Sequence, residues 1–246
     1  MIDTHCHLDV KQFNKDRDDV IERARQQLRY VINPATDFGS NIRVQQIQKQ
    51  HRGFVFACMA LDPVNFVKQQ DRQNEFIELA RQHSNDIVAI GEVGLDYYWL
   101  PDKKGVQQSN FIAMIELANE LKKTLVIHSR NAMEDALEIL ERHANTRVVM
   151  HCFSGNKTQM KRCWDSNYIT SFATSICRMG KVLSKSLDLD KIVVETDSPY
   201  LNPVSTERNE PVNVKYAIQK IAEKTGTTFE EIEAITDKNA MRAFNL

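Results

Sequence analysis

The chain has 246 residues, with 32 Lys and Arg against 33 Asp and Glu for a formal charge of −1, so no global field draws in a polyanion and any contact with one has to be local. No run approaches the roughly 18 consecutive apolar residues of a membrane span, and the first residues lack the basic stretch and apolar core of a secretory leader. The five cysteines, at 6, 58, 152, 163 and 177, are odd in number and form no C-x-x-C pair, as in free thiols of a reducing compartment; the expectation is a soluble cytoplasmic protein with neither a membrane partner nor an obligate protein partner evident.

In chain order, short runs rich in Val, Ile, Phe and Met alternate with longer stretches of helical spacing. The first run, MIDTHCH (1–7), carries His5 and His7 two residues apart. A strand sends residues i and i+2 to one face, so Asp3, His5 and His7 are expected to point together, with Ile2, Thr4 and Cys6 turned away. An amphipathic stretch at 16–27 precedes the runs LRYVINP (28–34) and GFVFACMAL (53–61). A helical stretch at 74–83 leads to DIVAIGE (86–92), another at 107–123 to TLVIHS (124–129), and a third at 132–143 to RVVMHCF (147–153). YITSFATS (168–175), KIVVETD (191–197) and a helical stretch at 214–226 complete the series. Eight strands with crossover helices predict an α/β protein, a (β/α)8 TIM barrel in a single domain over 1–246; a doubly wound open sheet is the second architecture the pattern allows. No repeat or Pro/Gly/Ser-rich linker divides the chain.

The histidines sort by position. His5, His7, His128 and His151 fall at the C-terminal ends of expected strands, where barrels and open α/β sheets place their active sites. His51, His83 and His143 end helical stretches, where a ring near the helix C-terminus interacts favourably with the dipole and needs no chemistry. The same sorting selects Glu92, ending DIVAIGE, and Asp197, ending KIVVETD. Carboxylates closing apolar strands are unfavourable unless paired or bound to a metal, and a convergent His/Asp/Glu set is what divalent cations bind.

The ordered motifs DTHCHL, GEVGLDYY, VIHSR, HCFSG, ETDSPYL and RNEP resemble the TatD family of metal-dependent deoxyribonucleases, a branch of the amidohydrolase-like barrels, from residue 2 to the last helix. The resemblance implies two divalent metal ions, of magnesium, manganese or zinc. His5 and His7 with Asp197 would hold one, His128 and His151 the other, and Glu92 would bridge them. It also implies DNA as substrate, cleaved from ends or in single strands. A metal-dependent ester, lactone or amide hydrolase on the same barrel is the alternative, and a noncatalytic nucleic-acid-binding protein is a third reading.

Two metals can clamp a phosphodiester and assist in-line attack by water; Asp197 is the candidate to take the proton of that water, or it is a plain ligand. Arg130 is expected to hold phosphate through its guanidinium fork, unless it pairs with Glu134 four residues on. Arg208 and Asn209 lie in the loop after the eighth strand, where barrels often bind phosphate. Glu195 is expected beneath the metals, bonded to a ligating histidine or to a buried base. Cys6 and Cys152 are expected to pack toward the helices, and Tyr97, Tyr98 and Trp99 either stack a nucleobase or pack. The third run departs from the family, whose members usually carry G-x-H-P; here Ala60 and Asp62 replace the glycine and the histidine. Asp62 either helps to hold a further metal or marks a less anionic substrate.

Overall fold

Each β-branched run pairs with the next one along the chain. The computed structural model, which describes residues 1–179 and 182–246, contains β1 Ile2–Asp3, α1 Arg17–Arg25, β2 Tyr30–Pro34, α2 Phe38–Gln50, β3 Val55–Met59, α3 Pro63–Lys68, α4 Gln73–Gln82, β4 Ala89–Asp96 and α5 Lys104–Leu121. There follow β5 Thr124–Arg130, α6 Met133–His143, β6 Val148–Met150, α7 Lys157–Asp165, β7 Ile169–Ala173, α8 Ile176–Met179, β8 Ile192–Glu195, α9 Val214–Thr225 and α10 Phe229–Phe244. The strands run parallel in the order β1 to β8. The ring closes between last and first: Thr4 N donates to Val194 O at 3.1 Å and Asp197 N to His5 O at 2.9 Å, and Cys6 pairs with Ser198 in a parallel bridge. The architecture is therefore the barrel and not the open sheet. Among the described residues no helix is long and apolar enough to cross a membrane.

The barrel interior is graded from apolar to polar along its axis. Every strand gives one residue to a single interior cluster: Ile2, Ile32, Cys58, Ala89, Val126, Val149, Ile169 and Val193. Ala240, Ala243 and Phe244 of α10 pack against this cluster and close that end. Higher up the interior turns polar, with Thr4 and Ser171 hydroxyls 3.4 Å apart and Glu195 beside Ser171. The outer layer is held by apolar helix faces such as Ala136, Leu137 and Leu140 of α6, spaced to lie on one side of the helix.

Helix α2 lies outside the stretches that periodicity picks out, because half of its buried side is polar: Ser40, Asn41 and Gln45 are buried with Phe38, Val44 and Ile47. Asn41 explains this, donating to Asp37 O at 2.8 Å and Ala60 O at 2.6 Å while accepting from Ala60 N at 3.0 Å. Its side chain stitches the helix to the end of β3 with hydrogen bonds in place of apolar contact.

The first strand is shorter than the sequence suggests, and its alternation is reversed. Ile2 faces the interior, while the buried Asp3 accepts from Thr196 N at 2.9 Å, Thr196 Oγ1 at 2.6 Å and His5 N at 3.2 Å. Asp3 thus ties β1 to the chain leaving β8 and does not point with His5 and His7, which lie beyond a bend at Thr4, on either side of the Cys6 bridge.

Candidate metal centre

Glu92 does not end its strand, as the sequence suggests, but sits inside β4, which runs on to Asp96. The pairing with β5 slips between Gly91 and Val93, so Glu92 is the extra residue of a bulge, a feature that re-aims a side chain. Two glycines make the approach of the strands feasible. A Cβ on Gly91 would stand 2.4 Å from the Val126 Cβ, and one on Gly94, whose φ is +135°, would stand 2.1 Å from the His128 carbonyl oxygen.

Around this carboxylate the structure gathers the histidines. Glu92 Oε2 is 3.2 Å from His5 Nε2 and 3.6 Å from His7 Nε2, and Oε1 is 2.6 Å from His128 Nδ1. His5 Nε2 and His7 Nε2 are 3.2 Å apart. Asp197 Oδ1 lies 3.5 Å from His7 Nε2 and 3.9 Å from His151 Nε2. The His5 and His151 rings stack with centroids 3.5 Å apart. His5, His7 and Asp197 offer three atoms within 4.8 Å of one another, and so do His5, Glu92 and His151. His128 stands on the far side of Glu92.

The donor set fits a divalent cation. Two donors about 2.1 Å from one ion in a tetrahedral arrangement lie about 3.4 Å apart, close to the 3.2, 3.5 and 3.6 Å spacings of the His5–Glu92, His7–Asp197 and His7–Glu92 atoms. Electrostatics point the same way. Burial pushes the Glu92 carboxyl up, but the His128, His5 and His151 rings more than offset this and hold it well below the usual range. Burial pushes the His7 ring down, yet Asp197 and Glu92 carry it up to about 9, and Glu92 and Asp96 carry His128 up to about 10 against the same penalty. His5 is pushed down by burial and then by the His151 charge. The carboxylates therefore demand positive charge in a buried cluster, which metal binding supplies by displacing protons from the rings. A ligand at a thousand times its Kd stabilises the folded state by about 4 kcal/mol, and Tm moves by about 2–4 °C per kcal/mol in a chain of this size. Zinc or manganese at that excess is expected to raise Tm by about 8–16 °C over protein held in chelator; an unchanged melting curve would contradict the fit.

Two residues hold the rings from behind. Asp96, not singled out by its position in the sequence, receives His128 Nε2 at 3.0 Å on Oδ2, while its Oδ1 accepts Tyr98 N at 3.0 Å and Trp99 N at 2.9 Å. Its only signal is the motif GEVGLDYY. Glu195 is buried, with Oε1 2.9 Å from His151 Nδ1 without hydrogen-bond alignment; it accepts from Cys152 N at 2.6 Å and from Ser171 Oγ at 2.5 Å. Of its two expected placements, the one beside a histidine is observed.

The cluster lies on the floor of a cavity of about 920 Å³. Arg130, Asp62, Trp99 and Tyr200 belong to its walls. Cys152 lines it too, a correction to the expected packing toward the helices: its φ of 43° breaks the alternation that would have turned it outward. Cys6 does lie in the helix-side core. Asp62 caps α3, its Oδ1 accepting from Val64 N at 2.8 Å and Asn65 N at 2.7 Å and its Oδ2 from Asn65 Nδ2 at 2.8 Å. Burial pushes this carboxyl up to about 6.

The structure does not bring Arg208 or Asn209 to the cavity. Arg208 forms a two-pronged pair with Asp16, at 2.7 and 2.6 Å, and reaches Glu210 at 3.1 Å. Asn209 is buried and donates to Thr174 Oγ1 at 3.2 Å and Thr196 O at 3.1 Å. Both brace the loop after β8. His51 and His83 cap the C-terminal ends of α2 and α4, and His143 is the last residue of α6.

A parallel eight-stranded barrel with histidines and carboxylates gathered at its mouth defines the class: a metal-dependent hydrolase. The chain belongs to the TatD related DNase family, whose model matches residues 2–245. It is 33% identical over 255 residues to the uncharacterized metal-dependent hydrolase YabD of Bacillus subtilis, covering 100% of this chain and 99% of the relative. It is 30% identical over 258 residues to the deoxyribonuclease TATDN3 of Homo sapiens, covering 99% and 94%. Among solved structures, YJJV, a TatD homolog from Escherichia coli K12, superposes with a TM-score of 0.92 at 26% identity, covering 100% and 98%.

Proposed function

We propose that this hydrolase cleaves phosphodiester bonds of DNA, working on ends or single strands with two divalent ions, and that His5, His7, Glu92, His128, His151 and Asp197 hold them. The observation that carries the reading is Arg130. It closes β5 two residues beyond His128, on the wall above the cluster, and among the described residues it forms no ion pair. Glu134, its candidate partner, is taken by Arg162. A guanidinium left without a carboxylate over a cation-binding floor suits a phosphodiester better than a neutral ester. That relatives are named deoxyribonuclease supports the same substrate class.

When bound, divalent ions supply Lewis-acid polarisation of the phosphoryl oxygens and acidify water. The chain's own groups do the remainder. Glu92, with one oxygen toward His5 and His7 and the other toward His128, would help to hold both ions. Arg130 orients the diester by donating two parallel N–H bonds to its oxygens. Asp197 takes the proton of the attacking water on Oδ2, which accepts no hydrogen bond from another described residue; burial pushes its carboxyl up, but His7 and His151 more than offset this and keep it ionised near neutral pH. Asp62 is kept from repelling the substrate in full by the three donors that already occupy it.

Hydrolysis of bis(p-nitrophenyl) phosphate, p-nitrophenyl acetate and a γ-lactone by the metal-loaded protein tests the substrate class. Turnover of the diester well above the other two is expected; the reverse order would move the reading to a carboxyl ester or lactone hydrolase. Arg130→Ala is expected to raise KM for the diester about 10- to 100-fold, the worth of a charge-assisted hydrogen bond. An unchanged KM would remove Arg130 from the site.

A further inference from the structure

At the wall above the centre Trp99 lines the cavity and Tyr98 stands beside it, and the fold leaves both large aromatic side chains in water. Tyr98 is 53% exposed and Trp99 61%, whereas the neighbouring Tyr97 is buried and donates to Asp135 at 2.8 Å. Their ring centroids are 5.1 Å apart, edge to face. The Arg130 guanidinium lies 4.0 Å from the Tyr98 ring centre and 5.6 Å from that of Trp99. Both backbone N–H groups are held by Asp96, whose other oxygen receives His128. The aromatic pair is thus fixed to the same carboxylate that steadies the centre. Beyond Arg130 and Ser154, which belong to both, the cavity continues into a groove of about 600 Å³ that also takes in Lys104, Asn131 and Gly155.

We infer that Trp99, braced edge-on by a Tyr98 ring that Arg130 covers, is a stacking platform for one nucleobase of a single strand, with Arg130 reading the phosphate beside that base and the Lys104–Asn131 groove carrying the strand onward. The inference rests on the phosphodiesterase reading above and adds where the base goes. Aromatic faces stack any base, and an arginine lying against them adds its charge at the height where the backbone passes. A duplex keeps its bases stacked on each other, so the platform selects an unpaired or frayed end.

The test crosses protein and substrate changes. A short oligothymidylate, and the same oligomer with a single abasic position moved along it, are cleaved by the wild type, Trp99→Ala and Trp99→Phe. Loss of the stacked base is expected to raise the wild-type KM roughly 5- to 100-fold at one position. Trp99→Ala is expected to show a similar rise on the intact oligomer and little further rise on the abasic one, and Trp99→Phe to recover most of the loss. In chelator, without turnover, the intact oligomer is expected to quench Trp99 fluorescence, read as the difference from Trp99→Phe. If abasic and Trp99→Ala losses multiply instead of overlapping, the platform is overturned while the nuclease stands. If the wild type cleaves no oligomer, the nuclease reading fails and takes the platform with it.

Discussion

Asp197→Asn is expected to lower phosphodiester turnover by roughly 10²- to 10⁴-fold, the range that a positioned acid or base contributes. The amide keeps the shape and can still offer an oxygen to a cation, but it cannot take a proton from water. Asp197 is 16% exposed at its side chain, against 0% for His5 and 9% for Glu92, so of the three it faces the cavity most openly. Metal content measured alongside turnover separates its two roles. Loss of turnover with metal retained is the expected result and marks the proton role. Loss of metal together with turnover would reduce Asp197 to a ligand, and retention of both would exclude it from the centre.

Gly94→Ala is expected to destabilise the protein by about 2–5 kcal/mol, combining backbone strain at positive φ with overpacking, or about 4–20 °C in Tm. The added Cβ would meet the His128 carbonyl oxygen at 2.1 Å, so β5 must move, and His128 moves with it. Metal affinity is expected to fall in the same variant. Gly105→Ala serves as control, because nothing lies within 4 Å of the added atom there and the residue is helical, where alanine is favoured over glycine. A Gly94→Ala protein melting with the wild type and holding its metal would show that the close strand approach does not position the ring.

Periodicity made the barrel legible because parallel strands buried on both faces read as apolar runs, and eight such runs recur along the chain. The histidines and carboxylates that gather at its mouth also stand out in the sequence, since polar residues closing apolar runs are conspicuous. What stayed hidden depends on backbone departures. The bulge at Glu92 extends β4 to Asp96, and a strand read as ending at Glu92 leaves Asp96 in a loop with no visible partner. Positive φ at Cys152 turns a thiol inward that alternation turns outward. Asp3 looks like a third member of the His5 and His7 face, yet the chain bends directly after it, at Thr4, before Cys6 rejoins the ring. Arg208 and Arg130 show the other gap. Both are arginines near the mouth, but long-range partners decide their work: Asp16, 192 residues away in sequence, claims Arg208, while the partner expected for Arg130 is claimed by Arg162.

Cleavage of end-labelled single- and double-stranded DNA by metal-stripped protein, resupplied separately with magnesium, manganese or zinc and run beside Asp197→Asn, decides whether this barrel is a metal-dependent nuclease. A ladder that requires metal, favours single strands or ends, and disappears in the variant is the predicted result. No cleavage by protein shown to have bound metal, with turnover of a carboxyl ester or lactone in its place, would contradict it.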